Sequence, residues 1–145
     1  MALSGDHVIV KMDDSSGTLR TFADGDIRSI DLGLTYDQFD VTGFGDEAHQ
    51  YINGQLRAPV TIQGYLTTDG VSGTHTVIQG AFAAGSQVSL EVQVGDNATP
   101  TRNDPKYSGE FLVSSYRPQI TTGGAVMFTA TLQPATGAAP TWGAV

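Results

Sequence analysis

The strongest constraint on this chain is the two-residue period of its apolar side chains. From Gln87 to Val94 the alternation is unbroken, with Val88, Leu90, Val92 and Val94 set against Gln87, Ser89, Glu91 and Gln93. Successive side chains of a strand point to opposite faces, so the pattern specifies a strand with one buried face and one wet face. Val60, Ile62 and Gly64 alternate in the same way with Thr61, Gln63 and Tyr65, and Val126, Phe128, Ala130 and Leu132 with Met127, Thr129, Thr131 and Gln133. Runs of this kind need a common core under one face. They predict a mainly β chain, an antiparallel β-sandwich or half-barrel, as a single domain over 1–145.

Turn residues divide the runs. A first strand over His7–Met12 ends at Asp13-Asp14-Ser15-Ser16-Gly17 and returns through Thr18–Phe22, with a second turn over Ala23–Asp26. Ile30, Leu32, Leu34 and Tyr36 then alternate, but the next apolar residues are Phe39 and Val41. A slip of one residue in a period of two predicts a bulge near Asp37–Gln38 that bends the strand. Gly43 to Gln55 reads as a long loop, broken by Gly43, Gly45 and the Asn53-Gly54 pair, and such loops tend to meet partners. Leu56–Leu66 resumes as a strand.

His75–Ala84 is the one convincing helix, with Val77, Ile78, Ala81 and Phe82 at helical spacing and Gly85 as its stop. A second loop spans Gly95–Lys106, and Phe111–Arg117 with Ala125–Gln133 forms a final hairpin around Ile120–Gly124. The ends, 1–6 and 134–145, read as flexible arms that order on assembly, with Trp142 as the large apolar group of the second.

Fifteen acidic against seven basic residues, a net charge of −8, opposes binding to a phosphate backbone. Residues 1–50 hold ten of the acids and three of the bases, while 101–145 hold two and three, a dipole suited to head-to-tail stacking of copies. With no cysteine there is no disulfide or thiolate metal site. The start lacks the basic and apolar regions of a signal peptide and no run approaches a membrane span, so the expectation is a soluble product of the cytoplasm.

The chemical motifs do not hold together. Gly43-Phe-Gly-Asp-Glu-Ala48 matches a dinucleotide fingerprint, but Asn53-Gly54 and Pro59 leave no room for the helix that must follow. The histidines, His7, His49 and His75, lie far apart and read as surface residues, and Asp13–Gly17 lacks the distal Glu of a calcium loop. A nucleophile elbow is missing, and Asp37 with Asp40 lacks the aromatic cleft of a glycosidase. The reading is therefore no catalytic residue, no metal and no cofactor.

Asp40-Val-Thr-Gly-Phe-Gly-Asp46, Leu56-Arg-Ala-Pro-Val-Thr-Ile-Gln-Gly-Tyr-Leu66, Tyr107-Ser-Gly-Glu-Phe-Leu-Val-Ser-Ser-Tyr116 and Val126-Met-Phe-Thr-Ala-Thr-Leu132 occur in an order that resembles the tail tube proteins of long-tailed bacteriophages, over roughly Val8 to Gln133. That family shares its fold with the tubes of contractile injection systems. The resemblance implies a structural subunit that closes into hexameric rings, each subunit adding strands to one β-barrel, and rings that stack into a DNA-conducting tube of the virion tail. It implies as partners further copies, a tape-measure protein, a terminator and distal baseplate proteins, with DNA passing unbound.

On that reading Gly43, Phe44, Gly45, Asp46, Glu47 and Tyr51 reach a neighbouring subunit. Asp37, Asp40 and Glu91 line the lumen as exposed, unpaired carboxylates, and Trp142 belongs to an assembly arm. The competing reading is a β-sandwich binding module for carbohydrate recognition or capsid decoration.

Overall fold

A computed structural model describes residues 8–23, 25–68, 70–95, 104–135 and 139–145. The elements are β1 (Val8–Asp13), β2 (Leu19–Thr21), β3 (Ile27–Leu32), β4 (Thr35–Asp40), β5 (Tyr51–Arg57) and β6 (Val60–Tyr65). A π-helical turn (His75–Gln79) then runs into α1 (Gly80–Ala84), followed by β7 (Val88–Val94), β8 (Pro105–Gln119), β9 (Met127–Pro134) and β10 (Thr141–Ala144).

One antiparallel sheet runs in the order β2-β1-β7-β8-β9-β6-β3, with β10 added beside the start of β8. Among the described residues the sheet does not close on itself, and β2 and β3 are its outermost strands. The three alternating runs bury the faces expected of them. Val60 and Ile62 of β6, Val88, Leu90 and Val92 of β7, and Phe128, Ala130 and Leu132 of β9 meet Val10, Met12, Tyr107 and Phe111 in one core.

Val77, Ile78 and Ala81 of the helix cap that core, and the helix ends where expected, at Gly85, whose left-handed φ of 64° turns its N–H back to the carbonyls of Ala81 and Phe82. Phe82, read as part of the buried stripe, instead faces solvent: the wider π-helical turn before it, with more residues per turn than an α-helix, shifts the phase of the stripe. The helix is tied to the sheet by a reciprocal pair. Thr67 N–H donates to the Thr74 hydroxyl and Thr74 N–H to the Thr67 hydroxyl, each at 2.9 Å, and the Thr74 hydroxyl donates to the Tyr65 carbonyl at 2.7 Å.

Three expectations change. Residues 51–55, read as loop, belong to β5, because Gly54 makes no turn and instead lies under the Phe39 ring, with Asn53 opposite Gln38. The strand read through Leu56–Leu66 is interrupted at Ala58-Pro59. The end of the C-terminal arm is not free, since Thr141–Ala144 pairs with Pro105–Ser108 and Trp142 stacks edge-on against Tyr107 at 5.2 Å. His7, the arm 1–6, most of the second loop (96–103) and positions 136–138 lie outside the described residues.

Candidate assembly surface

The segments β3–β4 and β5–β6 form one long hairpin. Its inner half, β3 with β6, is part of the main sheet, and its outer half, β4 with β5, is a separate two-stranded ribbon. Along β5 and β6 the side-chain parity runs through the break at Ala58-Pro59. Ile52, Gly54 and Leu56 therefore share a side with Ala58, Val60 and Ile62, of which the last three are buried. On β4 the expected bulge is present, as a register shift between Tyr36 and Gln38. It brings Tyr36 opposite Leu56 and Phe39 opposite Ile52, so the apolar residues before and after the slip end on one face.

Nothing among the described residues covers that face. Tyr36 is 51% exposed, Phe39 56% and Ile52 53%, with Leu34 and Val41 exposed at either end. The slip in the sequence pattern marks the bulge that puts Leu34 and Tyr36 on one side with Phe39 and Val41, while Ile52 joins them only through the register of β5, in a segment expected to be loop. An isolated two-stranded ribbon is marginal in water, and an exposed apolar stripe of this kind is a candidate interaction surface.

The opposite face of the ribbon is polar. Arg57 Nε donates to Asp37 Oδ1 at 2.7 Å, and Gln38 Nε2 to Asn53 Oδ1 at 3.3 Å. Asp40 accepts from the Thr42 hydroxyl and, at 2.9 Å, from Thr42 N–H, bonds that hold its carboxyl below the ordinary carboxylate range. His49 Nδ1 lies 3.7 Å from the same carboxylate, and its ring leans toward Tyr51. Glu91 is remote from both aspartates, on β7, where it faces Lys106 Nζ at 3.7 Å. The expectation of unpaired carboxylates is therefore corrected at all three. Asp37 and Glu91 face cations across a ladder, and Asp40 caps its own turn.

At the ribbon tip, residues 41–50 are held by short bonds. Gly43 N–H donates to Asp46 Oδ2 at 2.7 Å, Val41 N–H to the Gln50 carbonyl at 2.8 Å, and Gln50 N–H to the Thr42 hydroxyl at 2.9 Å. Gly45 sits at φ 90°, a conformation natural to glycine. Phe44, between the two glycines, is fully exposed.

Other motifs resolve into structural roles. Asp13–Gly17 is the turn of the first hairpin: Asp14 accepts from the Ser16 hydroxyl at 2.7 Å, from Arg20 Nε at 2.9 Å and from Thr18 N–H at 3.0 Å. These bonds hold its carboxyl well below the usual range. His75, read as a surface residue, is partly covered and shares a 2.9 Å hydrogen bond with the Tyr116 hydroxyl. His49 lies on the distant tip. A shallow recess beside β10 is lined by Ser89, Glu91, Ser108, Glu110 and Thr141, with Glu110 already accepting from the Ser89 hydroxyl. Among the described residues no helix is long and apolar enough to cross a membrane.

The sequence matches no family model and no curated protein. Solved structures match over nearly the whole chain. The SPP1 tail tube aligns with a TM-score of 0.76 at 12% identity, covering 99% of this chain and 80% of that one. A chain from the tail of an empty gene transfer agent particle, determined with C6 symmetry, aligns with a TM-score of 0.72 at 20% identity, covering 99% of this chain and 100% of that one. A chain of the PVC extracellular contractile injection system sheath–tube complex gives 0.69 at 11% identity, covering 99% and 93%. The chain has the fold found in phage tail tubes and in the tube assemblies of contractile injection systems.

Proposed function

We propose that this protein is the structural subunit of a phage tail tube. Copies close into hexameric rings, the rings stack, and the lumen conducts DNA from capsid to host. The observation that carries the reading is the β4–β5 ribbon, whose apolar face continues the core face of β6 beyond the subunit's own core. Because Tyr36, Phe39 and Ile52 are each about half exposed, a neighbouring copy that covers them gains about 1 kcal/mol per side chain, roughly half the value of full burial. Ring closure also pairs the outer edges at β2 and β3, which otherwise invite uncontrolled association. The matched assembly with sixfold symmetry supports the ring number.

In this reading the tip residues Gly43, Phe44, Gly45, Asp46 and Glu47, with Tyr51 behind them, contact another subunit, and Trp142 helps fix the C-terminal strand as copies pack. The wet face of the hairpin lines the lumen. Asp37 and Asp40 lie on it with Thr61 and Gln63, and Glu91 is the third acidic candidate. Arg57 and Arg117 share that face, Arg57 held by Asp37, but Asp31, Asp37 and Asp40 outnumber them, and a lining with an acidic excess repels phosphate and leaves DNA free to move. Partners are further copies, a tape-measure protein, a terminator and distal baseplate proteins. The work is mechanical, and no catalytic residue is assigned.

Negative-stain microscopy and native mass spectrometry of the purified chain test this. Sixfold rings or tubes are expected as concentration rises. A protein that stays monomeric at every concentration, or that binds glycans as a monomer, overturns the reading in favour of a binding module. For the lumen, Lys at Asp37, Asp40 and Glu91 in phage with intact tubes is expected to slow DNA ejection in a salt-dependent way.

A further inference from the structure

The two ends of the long hairpin are chemically opposite. One end is the ribbon tip, where residues 41–50 hold Asp46 and Glu47, contain no Lys or Arg, and present Phe44 to water. The other end is fixed by the register. Ile27 pairs with Gly64 next to Tyr65, and Tyr65, Met127 and Gln119 lie opposite one another across β6, β9 and β8.

That far end carries two exposed arginines. Arg28 sits in the β3 bulge, its guanidinium 3.9 Å from the sulfur of Met127, and Arg117 lies opposite Thr129, two residues before Gln119. Neither arginine pairs with a carboxylate among the described residues. The nearby acid, Asp26, accepts from the Thr67 hydroxyl at 3.3 Å. Beyond Gln119 the turn into β9 holds no charged residue, and its Ile120 is 79% exposed.

We infer that these ends meet. The tip of one copy docks on the β8–β9 turn of the next, with Phe44 against Ile120 and with Asp46 and Glu47 facing Arg28 and Arg117. The occupant is a second copy of this chain, and the contact rests on the tube-subunit reading. A contact between two different surfaces of the same molecule is heterologous, so it repeats without limit along an axis. Opposite charges at the two ends fix the direction of stacking and penalise tip-to-tip or turn-to-turn encounters. The tip is already locked by the Asp46–Gly43 and Gln50–Thr42 bonds, so little ordering cost is incurred on docking.

The absence of cysteine makes the test clean. The double variant Phe44→Cys with Ile120→Cys is assembled and oxidised, then run under denaturing, non-reducing conditions. A ladder of covalent oligomers is expected, with neither single variant giving one. Tubes without a ladder overturn the inferred contact and leave the tube-subunit reading standing, whereas failure of the unmodified chain to assemble overturns both. A second pair of variants covers the case in which the cysteines disturb assembly. Asp46→Arg with Glu47→Arg is expected to lower polymerisation at least tenfold, and adding Arg28→Glu with Arg117→Glu is expected to restore it. No rescue, with every variant folded by circular dichroism, also overturns the contact.

Discussion

The ring of Phe39 lies across the bare α-carbon of Gly54, so that a methyl group at 54 would meet the edge of the ring. Glycine weakens a strand, but here it lets an aromatic from the adjacent strand approach the backbone closely and shape the outer face of the ribbon. The ribbon is outside the core, so its perturbation separates assembly from folding. Gly54→Ala is expected to tilt Phe39, leave the urea midpoint of the monomer nearly unchanged, and raise the concentration needed for ring formation. A variant that assembles like the parent would show that the ribbon face is not an interface.

Gly64 gives the contrasting case within the core. A Cβ there would overlap the carbonyl of Asp26, whose oxygen accepts from Tyr65 N–H at 2.9 Å. Because the obstacle is backbone, it cannot move aside cheaply. Gly64→Ala is expected to cost about 1–3 kcal/mol, typical of overpacking, and to appear as a lower urea midpoint with an unchanged slope.

The first hairpin is predicted to weaken in acid. The bonds from Ser16, Arg20 and Thr18 depress the carboxyl of Asp14 in the folded chain. A depressed carboxyl stabilises the fold above its unfolded value, near 3.9, and that contribution is lost as pH falls toward the folded value. Asp14→Ala should therefore lower Tm at pH 7 by more than at pH 3. Equal losses at both pH values would show that the charge of Asp14 does not matter.

Tyr107 is fully buried, and its hydroxyl has no hydrogen-bond partner among the described residues. Burial also pushes the phenol up from its ordinary value. A buried polar group without a partner costs about 1–3 kcal/mol, so Tyr107→Phe is expected to hold or raise stability by about 1 kcal/mol in chemical denaturation. The ring itself supports the C-terminal strand through Trp142. Since Trp142 is the one tryptophan, Tyr107→Ala should shift its emission to the red, where Tyr107→Phe should not.

Period and parity in the sequence determined much of this molecule. The alternation over Gln87–Val94, Val60–Tyr65 and Val126–Gln133 specified the strands and their buried faces, because a side-chain period of two admits one inward set. The slip between Tyr36 and Phe39 located the bulge, and Gly85 the end of the helix. What the alternation leaves open is which chain covers a given face. The same apolar residues are core when their own sheet folds over them, as at Val60, and stay exposed when it does not, as at Phe39 and Ile52, where the proposed cover is a second copy. Asn53-Gly54 carried a turn signal that the Phe39 ring overrode, and Trp142 found a partner on β8 that no local pattern indicates. Asp37 was legible as a carboxylate beside the bulge and Glu91 as one on a polar face. Their cations, Arg57 and Lys106, come from neighbouring strands, and only the tertiary register brings them within reach.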